Sequence, residues 1–410
     1  MKPHRWFHAA AIPALALAAA PHPSRAQPPQ TRPATEVRLS AEPLLSVGRV
    51  DGPEEHLFGQ INAGARLADG SVVVSDQQNL RFQRFSADGE HLWSRGRAGE
   101  GPGEFEFVKI AEGCANEESI VLYDMWSTRV HEYDTKGNLL NDYRFVYNEL
   151  PLRDFVCAPN GRVAFTGSSF GFGEDGVEPG EIFRVLLSLG AAEPGDTEAT
   201  MLREKIPGRE QRALGGGNAM PGRIWTHDVT LAATNDGIWL GTGDDYEVEL
   251  IDWTGNTIRR IRWEGPDLAV TSEDVERYRD DLEELYRENG GPNWRARFEG
   301  TWEWQSEVVP DEFPAYHRLL VGDDGVLWVH DYTRPGERSE WLAFDEDGRW
   351  VRTLVLPPRT SLLDIGPDWA LVRAWDELDV QRVEVRGLVQ ESESHAEIVQ
   401  APVSAVTSVP

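Results

Sequence analysis

The sequence has few cysteines, no long apolar run, and far fewer basic than acidic residues. Only two cysteines, Cys114 and Cys157, occur among 410 residues, and no Cys/His cluster of the zinc type is present. No segment reaches the roughly 20 apolar residues that a transmembrane helix requires, so we predict no membrane insertion. The 40 basic residues face 69 acidic ones, for a net charge of -29. Such a charge repels phosphate groups and excludes nucleic acid and anionic membrane surfaces as favourable partners.

The first residues have the pattern of a secretory signal peptide. Lys2 and Arg5 precede an Ala/Leu-rich run from Ala9 to Ala20, and Ser24-Arg25-Ala26 is a small-x-small cleavage site. We therefore predict that residues 1–26 are removed and that the mature protein is exported to the periplasm or the extracellular space. Loss of the three basic residues in this segment makes the mature chain more acidic still.

The two cysteines leave two interpretations open. An exported chain with an even number of cysteines permits a disulfide. Cys114 and Cys157 each precede the first turn of neighbouring repeat units, and equivalent positions on adjacent inner strands come within bridging distance. Two buried free thiols fit the sequence equally well.

An internal repeat organises the chain. The segment Ser46–Phe58 resembles Ser94–Phe105, so the residues before 60 form the end of a repeat that begins elsewhere. Pairs such as Asp69-Gly70 and Asp236-Gly237, separated by runs rich in β-branched and aromatic residues, predict hairpins. Six units of four strands emerge, at about 60–98, 107–148, 152–206, 226–264, 314–357 and 361–388. The last unit lacks one strand, and we predict that Pro43–Gly48 supplies it and closes a ring.

These units predict an all-β fold, a six-bladed β-propeller over residues 27–390. Between blades 4 and 5 we expect a small helical insertion at 271–308, because Thr271-Ser-Glu-Asp274 is a capping box before apolar residues at helical spacing. Residues 391–410 lack an apolar pattern and are predicted to be a disordered tail.

The repeat units resemble those of a known family. The stretch Ala68–Asn79, followed by Phe82–Gly89, is similar to an NHL-type propeller repeat, and Gly99–Phe105 is similar to the link between blades in that group. Units three and six depart from the strand-Asp-x-x-Asn pattern. Over nearly the full mature length the chain resembles exported bacterial six-bladed β-propeller proteins. This resemblance implies the fold, while the group includes lactonases, esterases and ligand-binding modules.

The long connections predict which side of the ring carries function. Most long insertions follow the second or fourth strand of a unit, namely Ser168–Glu181, Ile206–Thr226, Glu264–Pro314 and Tyr332–Glu340. Elaborated loops on one face of a rigid scaffold are typical of binding sites. The alternative is that these insertions only shield the ring or brace its neighbours.

Seven residues assigned to the starts of inner strands are the candidate binding residues at that face. They are Asn62, Arg153, Asp154, His227, Asp228, His317 and Asp364. Because His227-Asp228 and His317 begin adjacent units, we expect them to converge as an acid–base pair or as ligands of a divalent cation such as calcium. The resemblance adds that related gluconolactonase-like propellers hold a metal in the central channel through carboxylate and Asn ligands. A hydrogen-bonded structural histidine is the simpler alternative.

Three other patterns have a structural and a functional interpretation. An Asp recurs after the second strand of four units, at Asp76, Asp124, Asp331 and Asp376; we expect these side chains to fix the following loop rather than to form a cation-binding ring. Gly167–Gly171 matches G-x-S-x-G but lacks a following helix, so we treat the match as chance. Trp302 and Trp304 are expected in the core of the helical insertion rather than in an aromatic platform.

These observations predict an exported propeller that binds a ligand, or a protein, peptide or glycan partner, at the face with the long loops. The alternative is a metal-dependent hydrolase of the lactonase or esterase kind that uses His227, His317 and nearby carboxylates in the central channel. A structural interaction module of an envelope complex is the third possibility.

Overall fold

The structure is a computed structural model that describes residues 28–33, 35–144, 152–169, 183–189, 200–207, 224–225, 227–289, 291–307, 309–334 and 337–390. The predicted signal peptide, residues 1–26, and the predicted C-terminal tail, residues 391–410, lie outside the described residues. Within the described part, the chain forms 24 β-strands and two α-helices. The fold is therefore mostly β, as the sequence predicts.

The strands pair as antiparallel meanders of four, because short β-branched runs alternate with tight turns. The first turn shows why: Val72–Asp76 is buried throughout, and Gly70 before it has φ +82°, which glycine adopts without steric cost. Unit one contains β2 (Ile61–Arg66), β3 (Val72–Asp76), β4 (Arg81–Phe85) and β5 (His91–Arg95). Unit two contains β6 (Ile110–Ala115), β7 (Ser119–Asp124), β8 (Arg129–Asp134) and β9 (Leu139–Arg144).

The remaining units repeat this order. Unit three contains β10 (Leu152–Cys157), β11 (Val163–Ser169), β12 (Phe183–Leu189) and β13 (Thr200–Pro207). Unit four contains β14 (Thr230–Ala233), β15 (Gly237–Gly241), β16 (Glu247–Asp252) and β17 (Thr257–Arg262). Unit five contains β18 (Tyr316–Val321), β19 (Leu327–Asp331), β20 (Ser339–Phe344) and β21 (Trp350–Leu356). Unit six contains β22 (Thr360–Ile365), β23 (Trp369–Trp375), β24 (Gln381–Gln390) and, from the other end of the chain, β1 (Glu36–Val47).

In five of the six neighbouring pairs of units, the first strand of one unit lies beside the first strand of the other, so these strands surround a common axis. Between units five and six the Asp323 amide donates to the Ile365 carbonyl at 3.2 Å, and β22 in turn contacts β2 of unit one. A hydrophobic cluster fills each interface between consecutive units, including the interface between unit six and unit one. The result is a propeller-like ring of sheets with its core between the sheets.

The predicted closure by the two ends of the chain is present. In the antiparallel pairing of β1 with β24, Leu45 lies opposite Val385 and Val47 opposite Val383. Leu45 and Val47 are buried in the cluster between units six and one. The N-terminal part of β1 also pairs in parallel with β21, so this strand joins units five and six.

Two helices lie between units four and five. Helix α1 spans Ser272–Asn289 and helix α2 spans Trp294–Ser306. The capping box before α1 forms: the Thr271 amide donates to Asp274 Oδ2 at 3.0 Å, and the Asp274 amide donates to Thr271 Oγ1 at 3.2 Å. Within the described residues, neither helix is long and apolar enough to cross a membrane.

A disulfide joins units two and three. Cys114 of β6 and Cys157 of β10 are bonded, with 4.9 Å between their Cα atoms. Of the two interpretations that the sequence leaves open, the structure supports the disulfide.

Candidate functional site: an acidic cavity on the ring axis

A cavity of about 1190 Å³ lies on the axis of the ring, and all six units contribute to its wall. The wall includes the C-terminal parts of the first strands and the short turns that follow them, and on the side of units four and five it extends to later strands and to the turn at Asp345. The turns around residues 115–118, 233–236 and 321–325 border its mouth. The cavity therefore opens on the face of the short turns, opposite the face with the long insertions.

Acidic side chains dominate the wall of this cavity. Nine acidic residues line it, namely Glu112, Glu117, Glu118, Asp236, Asp323, Asp324, Asp345, Glu346 and Asp364. Four basic residues accompany them, namely Arg66, Lys109, Arg259 and Arg318. A concave surface with this excess of one charge concentrates counter-ions of the opposite sign.

Some of these carboxylates are neutralised by arginines, and others are not. Glu112 pairs with Arg318 at 3.0 Å, Asp324 with Arg352 at 3.4 Å, and Asp345 with Arg349 at 3.7 Å. Five acids make no hydrogen bond or ion pair through their side chains within the described residues; these are Glu117, Glu118, Asp236, Asp323 and Glu346. Their charge is directed at the solvent in the mouth of the cavity.

Asp364 is the most strongly perturbed acid in the cavity. Burial raises its pKa to about 7, and the negative charges of Asp323 and Glu112 act in the same direction. The Arg66 amide donates to Asp364 Oδ2 at 2.8 Å and the Ile365 amide to Oδ1 at 2.9 Å, which opposes this rise only in part. Asp323 is an exposed residue at the mouth, but partial desolvation of its carboxyl by the surrounding wall and the charge of Asp324 raise its pKa, which the charge of Arg66 opposes. Asp323 and Asp364 thus form a pair of like charges that a cation would stabilise.

Most of the remaining wall residues are apolar, with Asn116, Thr234 and Asn235 as uncharged polar ones. The apolar residues include Trp239, Leu250 and Ile258 of unit four, Leu320 and Leu327 of unit five, and Leu363 of unit six. Apolar surface with a few polar groups that fix orientation is typical of small-molecule sites. The cavity can therefore hold an organic molecule and bind charged groups on it.

No metal site is evident among the described residues. Within them, no three His, Cys, Asp or Glu side chains come close enough together to hold a metal ion. Divalent cations such as calcium take six to eight oxygen ligands at short distances. The predicted hydrolase that uses a metal therefore receives no support from this part of the chain.

Two predicted residues at the opposite face stabilise the ring. The Asn62 side chain donates to the Val108 carbonyl at 2.7 Å and accepts a hydrogen bond from Ser75 Oγ at 2.7 Å, which links units one and two. Asp154 accepts a hydrogen bond from Thr166 Oγ1 at 2.6 Å within unit three. The neighbouring Arg153 lies on β10, and its side chain lies outside what the structure describes.

His227 and His317 have different surroundings. His227 is buried, with Nδ1 3.0 Å from Asp244 Oδ1 and Nε2 3.2 Å from the Glu312 carbonyl oxygen, at the end of the segment that contains the helices. This contact anchors the insertion on unit four. Asp228, the next residue, is exposed.

His317 belongs to an aromatic group on unit five. Its ring centroid lies 4.1 Å from that of His330, which stacks on Trp341 at 4.5 Å. Enclosure by protein and the charge of Arg318 lower the pKa of His317 to about 4, and burial lowers the pKa of His330 as well. Both imidazoles are therefore neutral at pH 7 and are poor proton acceptors.

The structure corrects the position of Asp364. Asp364 was predicted at the start of an inner strand, whereas it is the last residue but one of β22. It therefore lies at the short-turn end of the axis, inside the cavity, and not with the six other candidates. The apolar run Leu362-Leu363 before it gave no sign of which end of the strand Asp364 occupies.

The recurrent Asp residues mostly fix loops, as the sequence predicts. Asp76 accepts hydrogen bonds from the Asn79 side chain in the loop after β3 and from the Gly59 and Gln60 amides before β2. Asp124 accepts from the Trp126 amide after β7 and from the Glu106 amide before β6. Asp376 accepts from the Leu378 and Val380 amides. Asp331 differs, because burial and the charges of Glu340 and Glu337 raise its pKa to about 7.

The remaining sequence motifs carry no functional geometry. Gly167–Ser169 of the G-x-S-x-G match belong to β11, and the other two residues of the match lie outside the described residues. Trp302 and Trp304 are partly buried on α2, and Arg279 lies 5.9 Å from the Trp302 ring.

Three residues of the cavity, Glu112, Asp323 and Arg318, were not among those predicted from the sequence. The acids at the mouth lie in turns, where Asp and Asn are common because their side chains bond to the backbone of the turn itself. Their presence there did not indicate a site. The only available signal was a charge within an inner strand, as for Glu112 in Ile110–Ala115 and Arg318 in Tyr316–Val321.

Comparison with known proteins supports the fold. No protein-family model matches the chain, and no curated protein matches it. Among solved structures, a member of the DUF4221 family from Bacteroides vulgatus has a TM-score of 0.50 at 10% identity, covering 87% of this chain and 99% of that one. A protein of Bacteroides fragilis considered to be exported has a TM-score of 0.49 at 12% identity, covering 89% and 99%. An aldose sugar dehydrogenase from Streptomyces coelicolor has a TM-score of 0.41 at 13% identity, covering 88% and 100%.

At these identities the similarity concerns the fold alone. The chain has a propeller-like, mostly β architecture.

Proposed function

We propose that the protein is an exported, six-bladed, NHL-like β-propeller that binds a small organic ligand in its axial cavity. The observation that carries this proposal is the cavity of about 1190 Å³ with walls from all six units. Ligand pockets are concave, largely apolar, and lined by a few polar groups. The six strand meanders are the blades in this proposal, and β1 completes the sixth.

Export is supported by two features of the chain. The N-terminal segment has the pattern of a signal peptide. The Cys114–Cys157 disulfide is of the kind that persists in oxidising compartments such as the periplasm or the extracellular space.

Binding is favoured over catalysis by the residue types in the wall. Among the described residues that line the cavity there is no His and no Ser, and its cysteine, Cys157, is in the disulfide. A nucleophile with an adjacent imidazole base is therefore missing from this wall. The long-loop face, with a protein, peptide or glycan partner, stays a prediction, since much of Ser168–Glu181 and Ile206–Thr226 lies outside the described residues.

The test compares two tryptophan variants at equivalent turn positions. Ala68 and Ala87 each follow the first residue of a hairpin turn in unit one, and both are exposed, but only Ala68 lines the cavity. Thermal shifts should be recorded with a panel of cationic, neutral and anionic small molecules. We expect at least one compound to stabilise the wild type and the Ala87→Trp variant, and to lose this effect in Ala68→Trp. A panel that leaves the wild type unchanged, or a ligand that Ala68→Trp binds as well as the wild type does, would overturn the proposal.

A further inference from the structure

We propose, resting on the proposed function, that the ligand of the cavity is an organic cation whose ammonium group binds between Asp323 and Asp364. Its carbon skeleton would lie against the apolar side chains of the wall, such as Leu320 and Leu363.

The position of these two carboxylates supports a shared cationic partner. The Asp323 amide donates to the Ile365 carbonyl at 3.2 Å, which holds Asp323 beside the residue that follows Asp364. Each Asp364 oxygen accepts one backbone N–H, and Asp323 makes no side-chain hydrogen bond within the described residues. A carboxylate offers about four lone-pair sites, so both groups keep acceptor sites for an ammonium group.

One of the protein's own cations in the cavity, Arg318, shows how a cationic group binds there. Arg318 Nη2 donates to Glu112 Oε1 at 3.0 Å, and Nη1 donates to the Leu362 carbonyl at 2.7 Å. A carboxylate together with a backbone carbonyl therefore binds a guanidinium at this depth. Arg318 pairs with Glu112, and neither Asp323 nor Asp364 has an ion-pair partner within the described residues, so these two carboxylates are left for an external cation.

The wall favours an organic cation over a metal ion. The acids influence one another electrostatically, yet no three of them are close enough to enclose a metal ion within the described residues. A volume of about 1190 Å³ also exceeds what a bare ion requires. Several ammonium groups on an apolar skeleton match carboxylates that are spread over such a wall.

The experiment uses three six-carbon probes that differ only in charge. Hexane-1,6-diamine, hexane-1,6-diol and hexanedioate should be titrated calorimetrically into the purified full-length protein at pH 8 and low ionic strength. We expect the diamine to bind most tightly, and its affinity to fall as salt is added. Asp323→Asn and Asp364→Asn should each weaken diamine binding about tenfold, whereas Asp88→Asn, at an exposed turn outside the cavity, should change it less than twofold.

Asp323 is exposed, so Asp323→Asn keeps the test valid if Asp364→Asn fails to fold. Tighter binding of the diol or of hexanedioate would overturn the cation inference and leave the proposed ligand site intact. If Asp323→Asn leaves diamine binding unchanged while Ala68→Trp abolishes it, the cation inference is also overturned and the proposed ligand site stays intact. Absence of binding by all three probes would overturn both.

Discussion

Arg318 and Glu112 form an ion pair across the axis of the ring, with 3.0 Å between Nη2 and Oε1. Arg318 lies on β18 of unit five and Glu112 on β6 of unit two, so the pair joins units that are three positions apart. Both side chains are about one-quarter to one-third exposed, at 33% and 23%. Both residues line the cavity, and the pair connects opposite sides of the ring.

A double-mutant cycle measures the coupling energy of the Arg318–Glu112 ion pair. Arg318→Met and Glu112→Gln should each lower the free energy of unfolding by about 2 kcal/mol, because each leaves a partly buried charge without its partner. The double variant should lose less than the sum, with a coupling energy of about 1 kcal/mol in urea denaturation. The exposed helix pair Arg277–Glu273, at the same 3.0 Å distance, is the control and should couple by less than about 0.5 kcal/mol. Equal coupling in the two pairs would contradict the stronger coupling expected of the partly buried pair.

The disulfide should contribute strongly to stability. Cys114 and Cys157 are 43 residues apart, and a crosslink over a loop of this length constrains the unfolded chain by about 3 to 4 kcal/mol. The double variant Cys114→Ser/Cys157→Ser should have a melting temperature several degrees lower than the wild type. Reductant should lower the melting temperature of the wild type and leave that of the variant unchanged; an equal response of both would disagree with the bond.

Gly113 should resist substitution more than another glycine with the same backbone conformation. Gly113 has φ +71°, and a Cβ there would lie 2.5 Å from the Cys157 carbonyl oxygen. Gly161 has φ +80° with nothing within 4 Å of its Cβ position. Gly161→Ala should cost about 1 kcal/mol for the backbone conformation alone. Gly113→Ala should cost clearly more in chemical denaturation, and equal costs would show that the steric contact is relieved without penalty.

Asp364 should make stability depend on pH. Its pKa is 3.8 in the reference state and about 7 in the folded protein. The folded protein therefore keeps a proton that the unfolded chain releases between these values, so this contribution is present below pH 3.8 and lost as the pH rises to 7. The amide side chain that the Asp364→Asn variant carries at this position does not titrate.

As the pH rises from 5 to 8, the free energy of unfolding of the wild type should therefore fall by about 2 kcal/mol more than that of Asp364→Asn. The groups that face Asp364 are Asp323, Glu112 and the Arg66 and Ile365 amides, and they are the same in both proteins. Urea denaturation across this pH range checks the change. Asp88→Asn should show no such slope, and a flat difference for Asp364→Asn would contradict the perturbed pKa.

Neighbouring leucines of β1 should differ sharply in their effect on ring closure. Leu45 is 7% exposed and packs between units six and one, whereas Leu44 is 67% exposed. Leu45→Ala should lower the free energy of unfolding by about 2 to 4 kcal/mol, and Leu44→Ala by less than about 0.5 kcal/mol. Similar losses in thermal unfolding would mean that the closing strand contributes little to the core.

The fold was accessible from the sequence because its signals are local. Turn pairs such as Asp69-Gly70 and buried runs such as Val72–Asp76 set the hairpins, and the incomplete last unit pointed to closure by residues near Pro43. Each of these depends on backbone preferences and on the alternation of apolar side chains, which one sequence displays.

The candidate site was not accessible in the same way. Its acids come from turns of different units, and in the sequence they are indistinguishable from residues that only shape those turns. Asp323 becomes a neighbour of Asp364 only through the contact between units five and six. Asp345 illustrates the ambiguity: it lines the cavity and also accepts hydrogen bonds from the Asp347 and Arg349 amides of its own turn.

The pairing of β1 with β24 also constrains the order in which the molecule acquires its structure. Val47 and Val383 meet although more than 300 residues separate them along the chain. Closing so long a loop costs conformational entropy, which is offset only once the contacts between the two strands have formed. Folds rich in such contacts between distant residues therefore form slowly. Units one to five can therefore form from neighbouring segments, whereas unit six is complete only after β1 has paired with β24. Until then β24 keeps an unpaired edge, and refolding should become less efficient as protein concentration rises.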